Sequence, residues 1–129
     1  MKKLMAALTI TTLLLTGCGG SGTTINQLDP TGFSNKIQES GVTVLDVRRP
    51  DEFAGQHLAR AVNINYESGT FSQDIQSLDK SKTYAVYCRS GNRSGQATAL
   101  MAKDGFTSIY NLDGGIINWT AVGQVLVTN

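Results

Sequence analysis

Cys88-Arg89-Ser90-Gly91-Asn92-Arg93-Ser94 is the stretch whose residue types and spacing could do chemistry. It stands between an apolar run, Tyr84-Ala85-Val86-Tyr87, and a helix-forming stretch that begins near Ser94. Strand formers ending in a cysteine, then a polar Gly-containing loop, then a helix make a strand–loop–helix unit. In such a unit the loop amides and the helix N-terminus face one small volume and form a nest for an anion. A thiol at the base of that nest is favoured as thiolate, the nucleophilic form. Arg89 and Arg93 add positive charge and forked donors beside it. A lone cysteine is otherwise a small buried hydrophobe, but Arg, Ser, Gly and Asn do not belong to a buried core.

The elements that must position this loop follow from periodicity and breakers. Thr23 to Gln27 reads as a short strand around Ile25. Asp29 and Pro30 read as the N-cap and first residue of a helix with Phe33 and Ile37 on one face, ended by Gly41. Val42 to Val47 is a nearly continuous apolar run, as expected of a parallel strand covered on both faces. Ala61 to Ile64 reads as a further strand, and Phe71, Ile75 and Leu78 recur at helical spacing. Thr83 to Tyr87 delivers Cys88. Ala97, Leu100 and Met101 give the following helix its buried face, with Lys103 in its last turn and Gly105 to end it. Thr107 to Leu112 is the last strand, Gly114-Gly115 a tight turn, and Ile116 with Trp119 packs a final helix. In open α/β sheets ligands bind at the carboxyl ends of strands, so Asp46 and Arg48 should share a rim with Cys88.

Several of these stretches together resemble the rhodanese family of sulfurtransferases. The loop opening at Cys88 is similar to the six-residue loop that carries the family's persulfide. Val44-Leu45-Asp46-Val47-Arg48, Glu52-Phe53, Gly55-Gln56-His57-Leu58 and Ala61-Val62-Asn63-Ile64 resemble its first signature, and Asp113-Gly114-Gly115 with Trp119 its closing one. The resemblance covers nearly everything after residue 23. It implies an α/β, three-layer domain with a central, mostly parallel sheet flanked by helices, over residues 24–129. It implies Cys88 as the catalytic nucleophile, and the amides from Arg89 through Ser94 (Ser90, Gly91, Asn92 and Arg93 between them) as binding groups. Arg89, Arg93 and Arg48 would attract a dianionic donor, with Asp46 supporting the rim. A buried ion pair, Arg48 with Glu52, is the competing role for Arg48, and Arg49 is expected to be an exposed neighbour. His57, the only histidine, matches a family position of structural type, although a cysteine–histidine dyad is the alternative chemistry.

The first residues read differently. Met1-Lys2-Lys3 followed by an apolar stretch from Leu4 to Leu15 has the pattern of an export leader, too short to span a membrane. Leu15-Thr16-Gly17-Cys18 resembles the lipobox of bacterial lipoproteins. That resemblance implies cleavage after residue 17, lipid on Cys18, a Gly/Ser tether over 18–23, and an exported, membrane-anchored product on the periplasmic side or cell surface. An ordinary leader cut nearby is the alternative.

Without residues 1–17 the chain has nine basic against ten acidic residues, so nothing in its charge points to a nucleic-acid partner. With Cys18 lipidated, Cys88 is the remaining thiol of the two cysteines. There is no CxxC or Cys/His cluster, so neither a metal site nor a cofactor is expected. A monomer is expected. The implied activity moves a sulfane sulfur from thiosulfate or a similar small anion, through a Cys88 persulfide, to a thiol or cyanide acceptor. Two other readings compete with it, a non-catalytic binding or sulfur-carrier module and a redox role for Cys88. A phosphatase or arsenate reductase of related fold needs cysteine and arginine separated by five residues; here Ser94 occupies that position and Arg93 comes one too early.

Overall fold

The computed structural model describes residues 22–128. The expected leader over 1–17, Cys18 and the tether as far as Ser21 lie outside the described residues. In chain order the elements are β1 (Ile25–Leu28), α1 (Pro30–Ile37), β2 (Val42–Asp46), α2 (Pro50–Gly55), β3 (Val62–Asn63), α3 (Phe71–Asp74), β4 (Thr83–Tyr87), α4 (Asn92–Lys103), β5 (Ser108–Leu112) and α5 (Gly115–Ala121). Short 3-10 turns at Tyr66–Ser68 and Ile75–Ser77 flank α3. The sheet runs β1-β5-β4-β2-β3 and every ladder is parallel.

Helices cover both faces, which is why the inner strands are apolar almost throughout. Alternation along β4 divides the core. Tyr84, Val86 and Cys88 join Ala97 and Met101 of α4 and Phe71 and Ile75 on one side. Ala85 and Tyr87 join Phe33 and Ile37 of α1 and Trp119 of α5 on the other. The three-layer α/β expectation therefore holds, and the strand period aims the Cys88 side chain toward the helix that follows it.

Local signals also hold at α1. The Asp29 carboxylate accepts the Gly32 N–H at 2.7 Å, with Pro30 at the first helical position. Two segments differ from expectation. The stretch around Phe71, Ile75 and Leu78 is not one α-helix: the backbone tightens after Asp74, and Leu78 N–H donates to Ile75 C=O at 3.1 Å. β3 is two residues long at the sheet edge, and its Asn63 side chain donates to the carbonyls of Asp46 (3.0 Å) and Arg48 (2.8 Å).

Candidate active site

β4 sits between β2 and β5, and its carboxyl end passes directly into the cysteine loop. Cys88 is fully buried, and its Sγ accepts the Gly91 N–H at 3.0 Å. Gly91 lies at φ +98°, a left-handed turn that bends the chain back over the sulfur and starts α4. The first amides of that helix, on Asn92, Arg93 and Ser94, have no acceptor within it and form its positive end. One amide of the expected ring thus touches the sulfur in the free chain. Arg89, Ser90 and Asn92 are exposed, and Ser94 is buried with its hydroxyl on Gly91 C=O at 3.3 Å.

The outside of the loop is held by the turn between β5 and α5. Ile116 N–H donates to Cys88 C=O at 3.0 Å, and Ile117 N–H to Arg89 C=O at 3.1 Å. These bonds occupy the carbonyls of Cys88 and Arg89. Gly115 lies at φ +59° where the two chains meet: a Cβ there would fall 2.6 Å from the Cys88 carbonyl oxygen. The sequence reading gave Gly114-Gly115 a turn only. The backbone contact with residues 88 and 89, some 26 positions earlier, had no local signal.

Ion pairing on the rim departs from expectation. Arg48 is nearly buried and pairs with Asp46, not Glu52. Its Nε is 3.0 Å from Asp46 Oδ1, and its Nη2 is 2.7 Å from Asp46 Oδ2 and 2.7 Å from Gln56 C=O. Burial works against the Arg48 charge, but the carboxylate contacts outweigh it and hold the pKa above the ordinary range. Asp46 Oδ2 also accepts the Tyr87 hydroxyl at 2.6 Å, and that hydroxyl accepts Leu58 N–H at 3.0 Å. Tyr87 thereby ties the residue before the cysteine to the Asp46–Arg48 pair, a link absent from the sequence reading.

Glu52 instead grips Arg93. Its two oxygens lie 2.7 and 3.0 Å from the two terminal nitrogens, and Glu67 adds a contact at 3.3 Å. The Arg93 guanidinium expected to await a dianion is therefore already occupied by two carboxylates. Hydrogen bonding to Arg93 holds the Glu52 carboxyl at about 2, and hydrogen bonding to Glu52 raises Arg93 above its ordinary range. Arg49 is exposed beside Asp51, as expected. His57 is buried, stacked on Phe53 with ring centroids 4.0 Å apart, and its Nδ1 is 2.8 Å from Phe53 C=O. Those contacts suit a structural residue.

A cleft of about 420 Å³ lies against this rim, lined by Arg48, Glu52, Arg89, Ile116 and Leu126 among others. A larger groove of about 640 Å³ runs along Val62, Asn63 and Leu78 and includes no residue of the cysteine loop. Around Cys88 the chain thus places a buried sulfur under one amide at a helix N-terminus, features suited to stabilising negative charge on sulfur.

A family model described as a rhodanese-like domain matches residues 29–122. The chain is 33% identical over 89 residues to a thiosulfate sulfurtransferase, GlpE, of Pseudomonas aeruginosa (69% of this chain, 79% of the relative). It is 33% identical over 95 residues to a tRNA uridine(34) hydroxylase of Pelagibacter ubique, covering 73% of this chain. The chain spans only 32% of that relative's length and 47% of another's. Among solved structures, a rhodanese-related protein from Thermoplasma volcanium superposes with a TM-score of 0.72 at 30% identity, over 81% of this chain and 99% of that one.

Proposed function

The chain belongs to the rhodanese-like family, and from that premise we propose that it is a sulfurtransferase working through a persulfide on Cys88. The observation that carries the assignment is the Gly91 N–H on Cys88 Sγ at 3.0 Å, in a loop that runs straight into a helix N-terminus. Backbone donors fixed in that way stabilise negative charge on sulfur before and after transfer. The Cys88 thiolate attacks the outer sulfur of a donor such as thiosulfate. A new S–S bond forms to Sγ, the sulfur–sulfur bond of the donor breaks, and its electron pair leaves with sulfite. An acceptor thiol, or cyanide, then takes the outer sulfur and regenerates the thiolate, giving ping-pong kinetics. The amides of residues 89–94 would cradle the persulfide and Arg89 would meet the incoming anion, while Arg48 and Arg93 shape the rim through Asp46 and Glu52.

Incubation with sulfane donors followed by intact-mass measurement tests the assignment. One added sulfur is expected on the wild-type chain and none on Cys88→Ser. A Cys88→Ser variant that still released sulfite from thiosulfate would overturn it. The full burial of Cys88 in the free chain favours a second reading, a non-catalytic binding or sulfur-carrier module. A binding module would take up no sulfur from any donor, and a carrier would load Cys88 once without repeated turnover to a small thiol or cyanide. For the first residues, the basic start, apolar run and Leu15-Thr16-Gly17-Cys18 support export and lipid anchoring at Cys18.

A further inference from the structure

Charge is divided along the axis of the sheet. Every ladder is parallel and helices carry the chain back between strands, so residues that end a helix or precede a strand gather at the sheet's amino end, opposite Cys88. Lys36 and Lys103 lie in the last turns of α1 and α4, and Lys80 and Lys82 just before β4. Arg60 precedes β3 and donates to Ile37 C=O, at the end of α1, at 2.7 Å. Lys36 is paired with Glu39 and Lys80 with Asp104. Arg60, Lys82 and Lys103 are exposed and make no ion pair among the described residues. The third carboxylate of this end, Asp79, is taken up by Ser81. At the carboxyl end the balance is reversed. Arg48, Arg49 and Arg93 are each held by carboxylates, and Asp29 and Asp113 stand there as well.

The chain enters the folded body at the basic end. The Thr23 hydroxyl donates to Phe106 C=O, and β1 pairs with β5 from Ile25 onward. Five Cα–Cα steps separate Thr23 from Cys18, a reach of no more than about 18 Å. A body of this size is about 30 Å across. With lipid on Cys18 the carboxyl end cannot face the bilayer, because Thr23 would then stand about 30 Å from it. Lying sideways and standing on the amino end are both within reach of the tether. Anionic headgroups select the second, since each exposed cation brought to such a surface shifts the balance about fivefold. Three cations set against Asp79 leave a bias of about twentyfold.

We propose that the amino end of the sheet docks on anionic phospholipid headgroups through Arg60, Lys82 and Lys103, and so holds the cysteine loop away from the membrane. The proposal rests on lipid anchoring at Cys18 and is independent of the sulfurtransferase assignment. β4 runs from Thr83 to Tyr87, so Cys88 stands about 20 Å further from the bilayer than Lys82. The sulfur is presented to the aqueous side.

The test uses the full chain, lipidated in a bacterial host, checked for the lipid by intact mass and reconstituted in vesicles. In a Cys88→Ser background, one fluorophore is placed either through Gln38→Cys, exposed at the amino end, or through Ser90→Cys, exposed in the cysteine loop. Headgroup-spin-labelled lipid in the vesicles quenches the fluorophore on contact. In phosphatidylcholine mixed with phosphatidylglycerol, quenching at position 38 is expected to exceed that at position 90 by about threefold or more. Phosphatidylcholine alone should lower the signal at position 38, and adding Lys82→Gln with Lys103→Gln should lower it to the same level in the mixed vesicles. Equal quenching at the two positions, or a signal at position 38 that neither change lowers, would overturn the docking while leaving the anchor intact. A chain that carries no lipid on Cys18 would overturn the anchor and the docking together.

Discussion

Gly115→Ala is the substitution that most directly probes how the cysteine loop is held. The new Cβ would lie 2.6 Å from the Cys88 carbonyl oxygen and 2.5 Å from the Arg89 carbonyl carbon. Both are backbone atoms, so no rotamer change relieves the contact, and one chain has to move by roughly half an ångström or more to reach ordinary packing distance. That movement stretches the bonds from Ile116 N–H to Cys88 C=O and from Ile117 N–H to Arg89 C=O, now 3.0 and 3.1 Å. Losing both costs about 2 kcal/mol, and the left-handed backbone at residue 115 adds about 1–2 kcal/mol for any residue with a Cβ. A total of about 3–4 kcal/mol is expected in urea unfolding. Because the displaced segment carries the nucleophile, sulfur loading at Cys88 should also slow by about 10- to 100-fold in the folded variant. Gly123→Ala is the control: its φ is +87° but a Cβ there meets nothing within 4 Å. It should show the backbone cost alone and load sulfur at the wild-type rate. Wild-type loading by a Gly115→Ala chain no less stable than Gly123→Ala would refute the buttressing role.

Glu52 gives a pH signature. Its carboxyl is held at about 2, against an ordinary 4.5, chiefly by hydrogen bonding to Arg93. A depressed carboxylate adds stability that is complete above the unfolded value and disappears as pH falls through the folded one. The stability gap between wild type and Glu52→Gln should therefore narrow between about pH 4.5 and about pH 2 in urea titrations; a gap constant across that window would contradict the Glu52–Arg93 grip. Tyr87→Phe removes a hydroxyl that serves both Asp46 and Leu58 N–H in a buried site, so unfolding should become easier by about 2–3 kcal/mol. Retention of full stability would show that water replaces the hydroxyl. For the proposed anchor, the full chain expressed in a bacterial host should partition into detergent and Cys18→Ser should not; equal partitioning would remove lipidation at that residue.

Much of the architecture was legible before any coordinates. Period-two burial, helix-period faces and the Asp29-Pro30 start are interactions within a few residues, so a linear pattern carries them and the parallel three-layer fold follows. The strand–loop–helix course at Cys88 was legible for the same reason, while of the expected ring of amides only Gly91 N–H lies on the sulfur. The rim was not. Arg93 meets Glu52 across 41 positions, Tyr87 meets Asp46 across another 41, and Gly115 meets the loop backbone from a different strand connection. Charges of either sign stand near Arg48 and Arg93 in the sequence, and only the crossing of β2, β4 and α4 decides which carboxylate reaches which guanidinium. The pattern around Cys88 therefore carried the proposed type of chemistry. The Glu52–Arg93 grip, the Tyr87–Asp46 bond and the Gly115 buttress are products of chain crossings, which no stretch of consecutive residues encodes.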